Sequence, residues 1–256
     1  MQFIYSFQSE WLKKKRNLAS WLVIIGGFFT PAILLIYSLV YHSKLAEASV
    51  APNFWYRLWE NSWESMAIFL LPMGVILSTS LITQIEFRNN TWKQLHTLPQ
   101  NLTTIFFSKL SVIIVMMLQF FLLFNIGVYL AGVVPCLLVK DASYPKAPIP
   151  FFIFLRDNMF YFIDCLPIIA LQYLISLQFK NFLVPIGCGI ALWILSVAVF
   201  RWQYGYLIPY TYCGFHFLEN IGKLKLSVPI HVLAFGWFVL FTIISYILYI
   251  TKKEKG

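Results

Sequence analysis

Long apolar runs, each bounded by polar or charged residues, set the pattern of this chain. A helix needs about 20 apolar residues to cross a hydrocarbon core. Six stretches qualify, roughly residues 18–41, 66–83, 105–131, 159–177, 183–200 and 228–250. They predict an all-α polytopic membrane protein with six transmembrane helices, built as one membrane domain over residues 1–256. The first stretch is too long for a cleavable signal peptide, and no small-residue cleavage site follows it. Pro31, Pro72, Pro167 and Pro185 fall in or near these stretches. Membrane helices tolerate such prolines where neighbours satisfy the freed carbonyls.

Between the spans the pattern changes character. Ahead of the first, Phe3, Phe7 and Trp11 recur every four residues and are followed by Lys13, Lys14, Lys15 and Arg16. An aromatic face with a basic cluster predicts an N-terminal helix lying in the interface. Trp55, Trp59 and Trp63 precede the second span, and an aromatic-rich segment follows the fifth; Trp and Tyr favour the headgroup layer, so the plain reading is an aromatic belt. Residues 204–218 are too apolar for a solvated loop. Gly205, Pro209 and Gly214 break them too often to span. They predict a short re-entrant or interfacial helix pair backed by protein. Small residues at spacing four, Gly127/Ala131 and Gly187/Ala191, permit close helix packing, within the chain or between chains.

Composition agrees with a lipid setting: 60% of the 256 residues are hydrophobic and only 11% charged, against about a quarter in soluble domains. The net charge of +9 does not point to nucleic acid, because the basic residues flank apolar runs and gather on no soluble face. Six spans put both termini on one side. The clusters at Lys13–Arg16 and at Lys252, Lys253 and Lys255 make that side the cytoplasm. The expected location is the inner (cytoplasmic) membrane, in contact with membrane lipid.

The inner connection between the second and third spans, residues 84–99, is polar and charged yet keeps Phe87, Trp92, Leu95 and Leu98. Trp92, Leu95 and Leu98 are spaced by three, and Pro99 would end a helix there. Such an amphipathic helix either docks a cytoplasmic partner or lies on lipid. Asn101, Thr103 and Thr104 offer side chains to cap the re-entering helix.

Glu86, Thr91, Trp92, Lys93, Leu95 and Pro99, followed by Ile105 and Lys109, resemble the inner loop of ABC-2-type transporter permeases. Glu10, the Lys13–Arg16 run, Trp21 and Pro31 resemble the opening of the small six-span permeases of lantibiotic-immunity and bacitracin-resistance exporters. The stretch Tyr206, Leu207, Ile208, Pro209, Tyr210 is similar to an aromatic-proline feature before their last span. The resemblance implies a half-transporter: two permeases, as a homo- or heterodimer, each docked on an ATP-binding cassette subunit. Residues 86–98 would match the coupling helix, with Glu86, Thr91, Trp92 and Leu95 as contact residues. The implied cargo is an amphipathic or lipophilic compound, an antimicrobial peptide among the candidates. ATP and Mg2+ would belong to the partner subunit.

Motifs for intrinsic catalysis do not stand out. Gly127 and Gly132 share a P-loop spacing, but Val133 follows where a phosphate-binding lysine would stand. Cys136, Cys165, Cys188 and Cys213 form no ligand-like pattern, although Cys136 and Cys213 both fall outside the spans, where they could pair. The histidines at 42, 96, 216 and 231 are scattered, so the sequence indicates no metal site. Asp164 is the one acid clearly inside a span, and its charge is costly there. It either lines a pathway or reaches the outer interface, and the sequence offers it no partner. The competing functions are a membrane-embedded enzyme, which requires polar groups converging at membrane depth, and a non-transporting structural subunit.

Overall fold

The computed structural model describes residues 2–15, 17–88, 101–140 and 142–251, side chains of residues 86–88 excepted. All regular structure among the described residues is helical. Helix α1 (Gln2–Lys14) leads into α2 (Leu18–Val40), then α3 (His42–Val50) and α4 (Phe54–Ser65). A π-helical turn, Met66–Leu70, joins α4 to α5 (Leu71–Arg88). The long α6 (Leu102–Leu138) is followed by α7 (Phe151–Gln178) and α8 (Leu183–Ala198). Two 3-10 turns, Gly205–Leu207 and Pro209–Thr211, lead to α9 (Tyr212–Asn220), and α10 (Ile230–Thr251) closes the described chain.

Among the described residues, five helices have the length and apolarity to cross a membrane: α2, the α4–α5 rod over Phe54–Ile85, α6, α7 and α10. The sixth predicted span, α8, is apolar but has only 16 residues. At 1.5 Å per residue it rises about 24 Å, short of the ~30 Å hydrocarbon core. The described residues therefore hold five helices of membrane length and one apolar helix that falls short. Residues 205–220 pack against the bundle beside the short helix. The hydroxyl of Tyr210 donates to Gln172 Oε1 at 3.2 Å, and Gln172 Nε2 donates to the carbonyl of Pro185, in the first turn of α8, at 2.7 Å. This segment thus enters the bundle, and Tyr210, Tyr212, Cys213 and Phe215 are buried in it. The expected protein-backed re-entrant element is present as two 3-10 turns and one helix.

Contacts between helix ends show which segments share an end of the bundle. Asn17 reaches the carbonyl of Leu81, Gln84 the carbonyls of Ser176 and Phe179, and Phe106 the rings of Tyr246 and Tyr249. The end of α5, the start of α6, the α7–α8 turn and the end of α10 therefore lie together with the α1–α2 junction. We call this the near end. The far end holds α3, α4, the 139–150 segment and the 199–229 segment.

The prolines show how a membrane helix absorbs the loss of a backbone donor. Pro72 cannot donate to the carbonyl of Ile68, four residues back. That oxygen instead accepts from Trp193 Nε1 of α8 at 2.8 Å, and the preceding turn has opened to π geometry, with the amide of Leu71 donating to Met66. Pro31 packs its ring against Gly127 of α6, where a Cβ would stand 2.9 Å from two ring carbons. Gly127 therefore serves packing within the chain, between α2 and α6. Gly187 has nothing within 4 Å of a Cβ, so its pair with Ala191 makes no such contact here. We expect Gly127→Ala to lose about 1–3 kcal/mol of stability through overpacking against a rigid ring. Gly187→Ala should be neutral or slightly stabilising, as thermal unfolding of the two purified variants in detergent would show.

Aromatic side chains fill the far half of the core. Trp63 stacks on Tyr161 with centroids 3.6 Å apart and a 9° interplanar angle, and Trp59 stacks on Phe154 at 4.2 Å and 7°. Phe121 and Phe124 of α6 close the cluster against Trp63. These tryptophans are not a belt facing the headgroup layer; Trp55, Trp59 and Trp63 are all buried.

Candidate functional site

Three features of the molecule bear on function, one at each end and one along the flank. At the near end, the described part of α5 runs to Arg88 and α6 begins at Leu102, both on the side of the bundle that holds the α1–α2 junction and the end of α10. Thr91, Trp92 and Leu95 lie outside the described residues, as does the side chain of Glu86. Of the residues that follow in the same likeness, Ile105 and Lys109 are buried in the first turns of α6. Asn101 takes the N-cap position with extended backbone, but its side chain makes no capping bond. Thr103 instead pairs with the Tyr246 hydroxyl at 2.8 Å, so it ties α6 to α10 and does not cap.

The N-terminal helix forms as expected, with an unexpected face turned inward. Its buried residues are Ser6, Glu10 and Lys14, again at spacing four. Glu10 pairs with Lys13. Lys14 bonds Gln119 of α6 and stands 3.7 Å from the centre of the Trp11 ring. Burial pulls the Lys14 ammonium down to about 8. Phe7 and Trp11 stack 6.0 Å apart and pack half-buried on the core, whereas Ile4, Tyr5 and Leu12 are exposed. The helix therefore buries a polar stripe with its aromatic pair alongside, and offers a different apolar set outward.

Along the flank, α4, α6 and α7 frame a groove of ≈ 770 Å³. Its walls are almost wholly apolar: Trp55, Trp59, Phe121, Leu122, Phe154 and Phe162 are among them. Asn125 and Asn158 are the amides on the wall. Each donates to the other's oxygen, at 3.0 and 2.9 Å, and each donates to the carbonyl four residues back, Phe121 and Phe154, on its own helix. The two amides form a closed clamp between α6 and α7, with their donors already used. The groove thus offers an apolar surface with little demand for hydrogen bonding.

Toward the far end, the structure gives Asp164 the partner that the sequence did not offer. His231 Nδ1 lies 2.8 Å from Asp164 Oδ1, across 67 positions of sequence. Asp164 is fully buried and His231 about a quarter exposed. The second carboxylate oxygen, Oδ2, is buried without a hydrogen-bond partner. His216 of α9 joins them, its ring 5.0 Å from that of His231. Phe160 stacks on His231 at 4.2 Å, and Tyr161 meets His216 edge-on at 4.4 Å. None of the three polar residues lines the groove, although Phe162 and Ile163 of the same helix do. All four cysteines are free thiols, so Cys136 and Cys213 are not paired.

With this geometry in hand, comparison with known proteins narrows the reading. Curated proteins give no match to the chain. A family model described as ABC-2 family transporter protein matches residues 6–196, from within α1 through all but the last two residues of α8. That range takes in the connection between α5 and α6, the groove and Asp164, and ends before the re-entrant segment. Members of this family are transmembrane transport components that work with an ATP-binding subunit. A multi-pass helical chain matched over most of its length in this way belongs to the ABC-2 family of transporter proteins.

Proposed function

We propose that the chain is the permease subunit of an ATP-driven exporter and moves an amphipathic or lipophilic compound. The observation that carries the cargo class is the apolar groove of ≈ 770 Å³ between α4, α6 and α7. A cavity of that size is within the usual range for ligand sites, and walls without free polar groups suit a ligand that lipid would also accept. An antimicrobial peptide falls in that class. It is the cargo suggested by the likeness of Glu10, the Lys13–Arg16 run, Trp21 and Pro31 to lantibiotic-immunity and bacitracin-resistance permeases.

In this reading ATP and Mg2+ are held by a separate cassette subunit, which docks on residues 86–98 through Glu86, Thr91, Trp92 and Leu95. A second permease, identical or homologous, completes the transporter. The outward-facing Gly187/Ala191 pair is one place for close approach between the two, since a Cβ at Gly187 would meet nothing of its own chain. Both termini and the docking connection face the cytoplasm. What supports this is that the α1–α2 junction, the described ends of α5 and α6 and the end of α10 share the near end, and that the sequences next to the first and last spans carry the dense basic clusters.

Topology is the quickest check. Tags at either terminus should resist an impermeant label in intact cells and react after permeabilisation. Labelling of the N-terminal tag from outside would invert the topology and place residues 86–98 where no cytoplasmic ATPase could reach them.

A further inference from the structure

Asp164, His216 and His231 converge from three separate elements, α7, α9 and the first turn of α10, and nothing in the transport reading uses them. Their potential ligand atoms all lie within 4.8 Å of one another. We propose that these three residues form a binding site for a borderline divalent transition ion, Zn2+ foremost.

Two imidazoles and one carboxylate are the donor set that zinc accepts with one position left open. In a tetrahedral site with bonds of 2.0–2.1 Å, neighbouring ligand atoms stand about 3.3 Å apart. The Asp164–His231 pair is already closer than that, at 2.8 Å, because a proton bridges it. His216 has the larger distance to close. Binding would release the bridging proton and free a ring nitrogen of His231 to ligate. It would also give Asp164 Oδ2, now buried without a partner, something to coordinate.

The surroundings favour a cation. An acid within a span is expensive unless paired or ligating, and His231 answers only one of its oxygens. The Glu219 carboxylate adds negative field at Asp164, while Arg156 is the opposing charge on the His216 side. Phe160 holds the His231 ring from one face, and Asn220 lies 3.3 Å from His216 Nε2. Both imidazoles are thereby held in place before any metal arrives. A bound ion would fasten α7 to α9 and α10, and so fix the re-entrant segment to the last span.

The test is Co2+ binding to the full chain in nanodiscs after chelator treatment, read by its visible d–d absorption. One equivalent should bind and give the intense bands of a four- or five-coordinate site, and Zn2+ should displace it. His216→Gln and His231→Gln should each weaken binding at least 100-fold, with His42→Gln unchanged as the control. Zinc-edge X-ray absorption of the wild-type protein should show two imidazoles in the shell. This second readout holds even where a variant fails to fold, and neither measurement depends on transport. Absence of a stoichiometric d–d signal, a shell without imidazole, or full binding in the His216→Gln, His231→Gln double variant would overturn the proposal.

Discussion

Alanine at both Trp92 and Leu95 is expected to abolish copurification of the ATP-binding subunit while leaving membrane insertion intact. The two residues share one face of the amphipathic stretch after Glu86, and neither belongs to a span. A buried aromatic anchor at an interface typically loses 2 kcal/mol or more when truncated. Trp92→Ala alone should therefore weaken the partner by about 30-fold, as 1.4 kcal/mol corresponds to a factor of ten. Adding Leu95→Ala should bring pull-down below detection. Glu86→Ala has a different expected signature. It should uncouple transport from hydrolysis, or weaken assembly if its charge is buried in the contact. If the stretch merely lay on lipid, the double variant would retain its partner at wild-type yield, and the docking assignment would be wrong.

The second large effect is structural. Trp63→Ala should lower stability by about 3–5 kcal/mol, the range for truncating a large buried aromatic. Trp63 is 1% exposed and touches Tyr161, Phe121, Phe124 and Trp59 at once. In lipid the loss comes mainly from packing, since apolar side chains gain little by leaving hydrocarbon. Trp63→Phe separates packing from hydrogen bonding. The indole Nε1 is buried without a partner, so phenylalanine removes an unsatisfied donor while keeping one ring, and should lose far less. Thermal unfolding in detergent distinguishes them; equal losses in both variants would contradict the stacking account.

The spans were legible because each is a long apolar run, and lipid permits few structures besides helices for such runs. What the sequence could not show was which side of each helix meets protein. Phe3, Phe7 and Trp11 looked like a lipid-facing stripe, yet the contacts of Lys14 with Gln119 and Trp11 turn Ser6, Glu10 and Lys14 inward. The tryptophans at 55, 59 and 63 read as a belt for the same reason, and are core.

The short α8 was another limit. Residues 183–200 are apolar enough for a span, but nothing local announces that the helix stops at Ala198 and that Tyr210 will reach Gln172 from the returning chain. Proline chemistry, in contrast, was half legible. Pro72 announced a freed carbonyl, while its acceptor role toward Trp193 depended on a helix more than a hundred residues away. The Asp164 cluster was invisible on the same ground, since α9 and α10 bring to Asp164 two histidines that lie more than fifty positions after it. The groove arises from three helices at once, so no single window of sequence contains it.

The central claim is that this chain moves its cargo with energy supplied by a different subunit. Photolabelling with an azido-ATP analogue tests it most directly, on the complex purified through a tag on the permease chain. Label should appear on a copurified P-loop subunit and not on the permease, and the permease isolated from that subunit should neither take up label nor hydrolyse ATP. Stoichiometric, ATP-competable labelling of the isolated permease chain would contradict the account.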